Sequence, residues 1–63
     1  MAREVDAIVD QLRSISEELA DIALDELKSA HAAGLTKRPE REKSLTQARR
    51  AVEKAAAVLS RTD

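Results

Sequence analysis

Few side chains in this sequence are suited to nucleophilic or metal chemistry, because the chain has one histidine, His31, and no cysteine. A histidine can act as a general base or bind a metal. The residues before it include Leu27 and Lys28, so the Glu-x-x-His spacing of carboxylate-bridged metal sites in helical bundles is absent. His31 is better explained as a residue near a helix C-terminus that faces the helix dipole, where positive charge is favoured. We therefore predict no catalytic residues, no metal site and no cofactor.

An acidic ladder is formed by Glu17, Asp21 and Asp25, with Glu18 beside it. A spacing of four residues places the three ladder carboxylates on one face of a helix. Such a face can bind a divalent cation or a basic partner. The simpler interpretation is a solvated face whose charge is balanced by a basic second helix.

A basic cluster surrounds the predicted turn and comprises Lys37, Arg38, Arg41 and Lys43. Clustered cations are enough to contact phosphates, so these four residues define an alternative function, a nucleic-acid-associated protein using the basic turn and the second helix. The net charge is −1 and aromatic residues are absent, which removes base stacking and disfavours this alternative. A membrane surface is also not an expected partner, because the first helix is acidic and the second is rich in alanine.

Residues 34–42, which end in the run Pro-Glu-Arg-Glu, resemble the turn between the first two helices of the all-helical chorismate mutases. In that family an Arg-Glu pair at the start of the second helix contributes to the dicarboxylate substrate site. The resemblance implies that role for Arg41 and Glu42. That family also carries cations along its first helix and has a third helix, whereas here acids such as Glu18 occupy the first helix and two helices are predicted. A chorismate-mutase-like enzyme is a further alternative.

The periodicity of apolar residues predicts two helices. The first covers about residues 3–33 and carries a seam with steps of three and four residues: Val5, Ile8, Leu12, Ile15, Leu19 and Ile22. Gly34 ends it, residues 34–38 form a turn, and Pro39 is predicted as the first residue of a second helix that extends to about residue 61. The second seam consists of Leu45, Ala48, Val52, Ala55 and Leu59.

A connection this short makes the helices antiparallel neighbours, with facing residue numbers that sum to about 72. The charges agree with this pairing. Residues 1–33 hold eight acids and three bases, a balance of −5, and residues 34–63 hold eight bases and four acids, a balance of +4. In particular, Glu18 and Asp21 should lie near Lys54 and Arg50. The predicted fold is all-α: a two-helix antiparallel hairpin forming a single domain over residues 1–63.

The predicted hairpin buries too little apolar surface to be stable alone, because it has 63 residues, no cysteine and no aromatic residue. The second helix should end opposite about residue 11 and leave Val5, Ile8 and Val9 uncovered. We therefore predict a homodimeric four-helix bundle, or association with another helical protein, and a non-enzymatic function as an adaptor, regulator or assembly subunit. A cytoplasmic location is expected, since no apolar run approaches about 18 residues. The predicted interface residues are Val5, Ile8, Val9, Leu12, Ile15, Leu19 and Leu24.

Overall fold

Two α-helices make up the ordered framework of the computed structural model, which describes residues 3–61. Helix α1 spans Arg3–Ala32 and helix α2 spans Glu40–Ser60. They pack against each other as an antiparallel hairpin about 51 Å long and 13 Å by 11 Å across. The predicted all-α hairpin is therefore confirmed. The two ends of the predicted 1–63 domain lie outside the described residues.

Helix α1 ends in a Schellman motif centred on Gly34. The amide of Leu35 donates to the carbonyl of Ala30 at 3.0 Å, and the amide of Gly34 donates to the carbonyl of His31 at 3.0 Å. Gly34 has φ +80°, a left-handed conformation that glycine adopts without a steric penalty. The glycine therefore fixes both the end of α1 and the direction in which the chain leaves it.

Helix α2 begins one residue later than the sequence pattern predicts. Pro39 has φ −61° and ψ 141°, so it is extended and occupies the N-cap position, while Glu40 is the first helical residue. The carbonyl of Pro39 still accepts the first helical hydrogen bond, from the amide of Lys43 at 3.2 Å. Proline suits this position because it has no N–H that would be left without a partner.

The two helices meet along a row of mostly small residues and not along the predicted seams. On α1 the most buried positions recur every seven residues: Val9, Ser16, Ala23 and Ala30, with exposures of 6, 6, 7 and 9%. On α2 the corresponding residues are Glu42 and Ala56, each 3% exposed. Small side chains let the helices approach closely, so the large residues of both seams lie beside this contact and not within it.

Within residues 3–61, two hydrogen bonds and one ion pair between side chains join the helices and define their relative height. Arg13 Nη2 donates to Ser60 Oγ at 3.4 Å, and Ser16 Oγ donates to Glu53 Oε2 at 3.1 Å. Arg41 Nε lies 3.2 Å from Glu26 Oε1. These residue numbers sum to 73, 69 and 67, close to the predicted 72 and centred near 70.

The expected ion pairs of Glu18 and Asp21 with Lys54 and Arg50 are wrong for the isolated hairpin. Among the residues that the structure describes, the only ion pair that joins the two helices is Glu26–Arg41. The reason is geometric: the expectation assumed that the two apolar seams face each other, whereas the helices meet along the row of Val9, Ser16, Ala23 and Ala30.

Candidate association surface and the basic turn

Three isoleucines of α1 form an exposed row beside the contact between the helices. Ile8, Ile15 and Ile22 remain 45, 42 and 40% exposed. Each helical residue turns the chain by about 100°, so positions seven apart point in nearly the same direction. The row therefore lies about a quarter turn from Val9 and Ser16, which face α2. The hairpin alone leaves these side chains half in water.

A row of alanines on α2 lies on the same side of the hairpin as the isoleucines. The ion pair Glu26–Arg41 establishes this, because Glu26 follows Ile22 by one helical turn and Arg41 precedes Ala48 by two turns. Ala48 is exposed, and so is Ala55 seven residues later. By contrast, the two interhelical hydrogen bonds, Arg13–Ser60 and Ser16–Glu53, lie within the contact or on the side of it that faces away from the isoleucine row.

Between these rows lies a floor of larger apolar residues that are only half-buried. This floor and the two rows together form what we call the open face. The floor residues are Leu12, Leu19, Leu45, Val52 and Leu59. The two seams predicted from the sequence thus lie side by side on one broad apolar surface, although they do not face each other.

The structure distributes the seven predicted interface residues over three environments. Ile8, Ile15, Leu12 and Leu19 belong to the open face, and Val5 is half-buried at the start of α1. The remaining two residues, discussed next, do not lie on this surface.

The prediction that the hairpin leaves Val9 uncovered is wrong, because Val9 is only 6% exposed. Helix α2 extends close to the height of Val9, because Ser60, its last residue, contacts Arg13, one helical turn after Val9. Leu24 is 48% exposed, but it is two residues from Ile22 and therefore points to nearly the opposite side of α1. Leu24 is consequently a useful control position for the open face.

Three of the four predicted phosphate-contacting cations are paired with carboxylates. Arg38 pairs with Glu42, Arg41 with Glu26, and Lys43 with Glu40 at 3.4 Å. Lys37 is exposed and forms no ion pair with any residue between positions 3 and 61. The positive charge available to an anionic ligand is therefore smaller than the sequence suggests.

A buried carboxylate, Glu42, anchors the start of α2. The Arg38 guanidinium forms a bidentate pair with its two oxygens: Nε donates to Oε1, and Nη2 donates to Oε2 at 3.1 Å. Thr46 Oγ1 also donates to Oε2, at 2.5 Å. The bonds from Arg38 and then Thr46 lower the pKa of Glu42 from the ordinary 4.5 to about 2. The bond to Glu42 in turn raises the pKa of Arg38. Sequence reasoning missed this cluster, although the spacing of four residues from Arg38 to Glu42 to Thr46 was a visible signal.

The same cluster bears on the resemblance to chorismate mutases. Both oxygens of Glu42 are occupied within the chain, and the residue is 3% exposed. Arg41 is engaged with Glu26 across the hairpin. The Arg-Glu pair implied by the resemblance therefore does not converge on an open site.

His31 lies at the turn end of the hairpin, on an open pocket of about 330 Å³ that Leu27, Leu35, Lys37 and Arg38 also line. Between residues 3 and 61, the His, Asp and Glu side chains form no group of three that could hold a metal ion. Over the same residues, neither helix is both long and apolar enough to cross a bilayer.

Comparison with known proteins finds no matching family model, no similar curated protein and no similar solved structure.

Proposed function

We propose that this protein is a small, cytoplasmic, non-enzymatic protein-association module that works as a homodimeric four-helix bundle, serving as an adaptor, regulator or assembly subunit. The association surface is the open face. The observation that carries the proposal is the row of isoleucines, 40–45% exposed, beside a floor of four half-buried leucines and Val52.

The small core of the hairpin supports this proposal. Apart from Val9, the apolar side chains most protected from water are alanines, namely Ala23, Ala30 and Ala56. Alanines contribute little hydrophobic free energy, whereas full burial of an isoleucine is worth roughly 1.5–3 kcal/mol. A second copy covering the open face would bury the isoleucine row and the floor together, and would supply the larger core that a two-helix chain lacks.

The shape of the open face also favours a partner that is itself a helical hairpin. The face is bounded by a ridge, the isoleucine row on α1, and by a parallel low row, the alanines on α2. A second hairpin offers the same ridge and low row, so the surface can be self-complementary, as a twofold interface requires.

A matched pair of charge substitutions tests the proposal. Ile15→Asp places a carboxylate in the centre of the proposed interface, where an unpaired buried charge is strongly destabilising. Leu24→Asp places the same charge at a similarly exposed position of α1 that faces away. We expect light scattering to give the mass of one chain for Ile15→Asp and of two chains for Leu24→Asp. Equal masses for the two variants would refute the assignment of the open face.

A further inference from the structure

We infer that, in the homodimer, α1 of each copy packs against α2 of the other, with the twofold axis parallel to the helices. This inference rests on the proposed homodimer and specifies how its two copies meet. It follows from the heights of the side chains on the open face and from the distribution of charge between the helices.

Two hairpins that meet through the same face can be related by a twofold axis in two ways. An axis parallel to the helices places α1 over α2 of the partner, and the two turns lie at the same end of the bundle. An axis perpendicular to the helices, within the interface, places α1 over α1 and α2 over α2, with the turns at opposite ends. Both arrangements are antiparallel bundles of closed symmetry, so symmetry alone does not distinguish them.

Side-chain size favours the parallel axis. Rotation about this axis leaves the height of each residue along the helices unchanged. Each residue of α1 therefore lies level with the residue of the partner's α2 whose number, added to its own, gives about 70, as within one hairpin. Ile15 is then level with Ala55 of the partner subunit, and Ile22 with Ala48 of the partner subunit. Each large side chain would meet a small one, which lets the two layers interdigitate. The perpendicular axis would instead pack isoleucines over isoleucines and alanines over alanines, which is crowded on one side and loose on the other.

Charge favours the same arrangement. The first half of the chain, which contains α1, carries a balance of −5, and the second half carries +4, from the counts of acids and bases in the sequence. The parallel axis sets acidic α1 beside basic α2 twice, whereas the perpendicular axis sets like against like. Opposed charges of this kind determine pairing more than they add affinity.

One specific contact follows from this geometry. Glu18 lies on the outer edge of the open face, next to the isoleucine row, and is level with about residue 52 of the partner. Lys54 of the partner subunit lies about 3 Å from that height, at 1.5 Å per residue. Neither Glu18 nor Lys54 takes part in an ion pair within residues 3–61 of its own chain. The partner thus supplies the opposite charge that each of these side chains lacks within the hairpin.

Spin-label distances in the intact chain test this arrangement. The natural sequence has no cysteine, so single labels can be attached in Asp6→Cys and Lys28→Cys, two exposed positions of α1 that face away from the isoleucine row. With the parallel axis, identical labels lie at equal height. Both variants should then give similar short distances, set by the roughly 14 Å diagonal of a bundle with helices about 10 Å apart and by the reach of the labels.

With the perpendicular axis, the two labelled positions must add an axial offset. They are 22 residues apart, or about 33 Å along the helix, so at least one of the two variants would show an axial separation of about 33 Å or more. That result on a dimeric sample would overturn the helix pairing but not the homodimer. A labelled sample with the mass of a single chain would overturn the homodimer itself, and the pairing with it.

Discussion

Nε of Arg41 lies 3.2 Å from Oε1 of Glu26, and this contact shows that Ile22 and Ala48 belong to the same side of the hairpin. Glu26 is one turn beyond Ile22, and Arg41 is two turns before Ala48. Arg41 is exposed and Glu26 is half-buried, so the contribution of this surface pair to stability is about 0–1 kcal/mol. Its value lies in orientation, because it identifies one apolar surface built from both helices.

Enlarging an alanine of the open face should weaken dimerisation. Ala55→Leu adds bulk where the proposed bundle places Ile15 of the partner subunit, and overpacking typically costs about 1–3 kcal/mol per site. The site occurs twice in a dimer, so we expect the dimer dissociation constant to rise at least about tenfold. Sedimentation equilibrium measures this change.

The matched control is Ala57→Leu, an exposed alanine that points away from the open face. This variant should dimerise as the unaltered chain does. Adding Ile15→Ala to Ala55→Leu should restore part of the affinity, because the smaller side chain at position 15 makes room for the added leucine. An equal effect of Ala55→Leu and Ala57→Leu would contradict the packing.

Reversing the charge of Glu18 should weaken the dimer through its proposed contact with Lys54 of the partner subunit. Glu18→Lys and Lys54→Glu should each weaken association a few-fold, since exposed pairs are worth roughly 0.2–1 kcal/mol and the contact occurs twice. The double variant should recover the affinity, and the differences should shrink in high salt. If the two single effects simply add in the double variant, these residues are not neighbours.

Removing the buried carboxylate at the start of α2 should destabilise the fold. Glu42→Gln cannot form the ion pair with Arg38, so its thermal midpoint should fall below that of the unaltered chain. Glu40→Gln is the control, because Glu40 is exposed and its pair with Lys43 is long, at 3.4 Å. The midpoint of the control should change little.

The effect of Glu42 should also depend on pH with a defined sign. Its folded-state pKa of about 2 lies below the ordinary 4.5, so the ionised carboxylate stabilises the fold above about pH 4.5. This stabilisation is lost as the pH falls towards 2, and the gap between the unaltered chain and Glu42→Gln should narrow over that range. A gap that is constant from pH 7 to pH 2 would show that the carboxylate is not the source of the difference.

The left-handed backbone at the end of α1 predicts a purely conformational penalty for a side chain there. A Cβ added at Gly34 meets no atom within 4 Å, while φ is +80°. Gly34→Ala should therefore lower the free energy of unfolding by about 1–2 kcal/mol, and Gly34→Asn by less, because asparagine tolerates this conformation better. Denaturant titration checks the order. A loss larger for asparagine than for alanine would contradict this explanation.

The hairpin was predictable because Gly34 and Pro39 mark its turn with strong backbone preferences. The contact between the helices was not predictable from the apolar pattern, which follows the largest residues. Ser16 lies in the contact, although a hydroxyl in a helical pattern suggests a solvent-facing position. A wide apolar stripe has two edges, and only the side-chain volumes on both helices decide which edge faces the neighbour.

The candidate surface was predictable only in part. Ile8 and Ile15 were identified because the sequence has more large apolar residues than two helices can cover. The prediction for Val9 is wrong because a facing sum of 72 ends α2 opposite residue 11, whereas the observed interhelical contacts centre on a sum near 70 and α2 reaches the height of Val9. The burial of Glu42 is not expected from its position, because glutamates in a first helical turn usually face water, where the helix dipole alone explains them.

The mass of the unaltered chain in solution tests the central claim most directly. Sedimentation equilibrium over a hundredfold range of concentration should give twice the 6.9 kDa mass of one chain, with dissociation only at the dilute end. A mass of 6.9 kDa at every concentration would contradict the homodimeric bundle and leave the open face without its proposed partner.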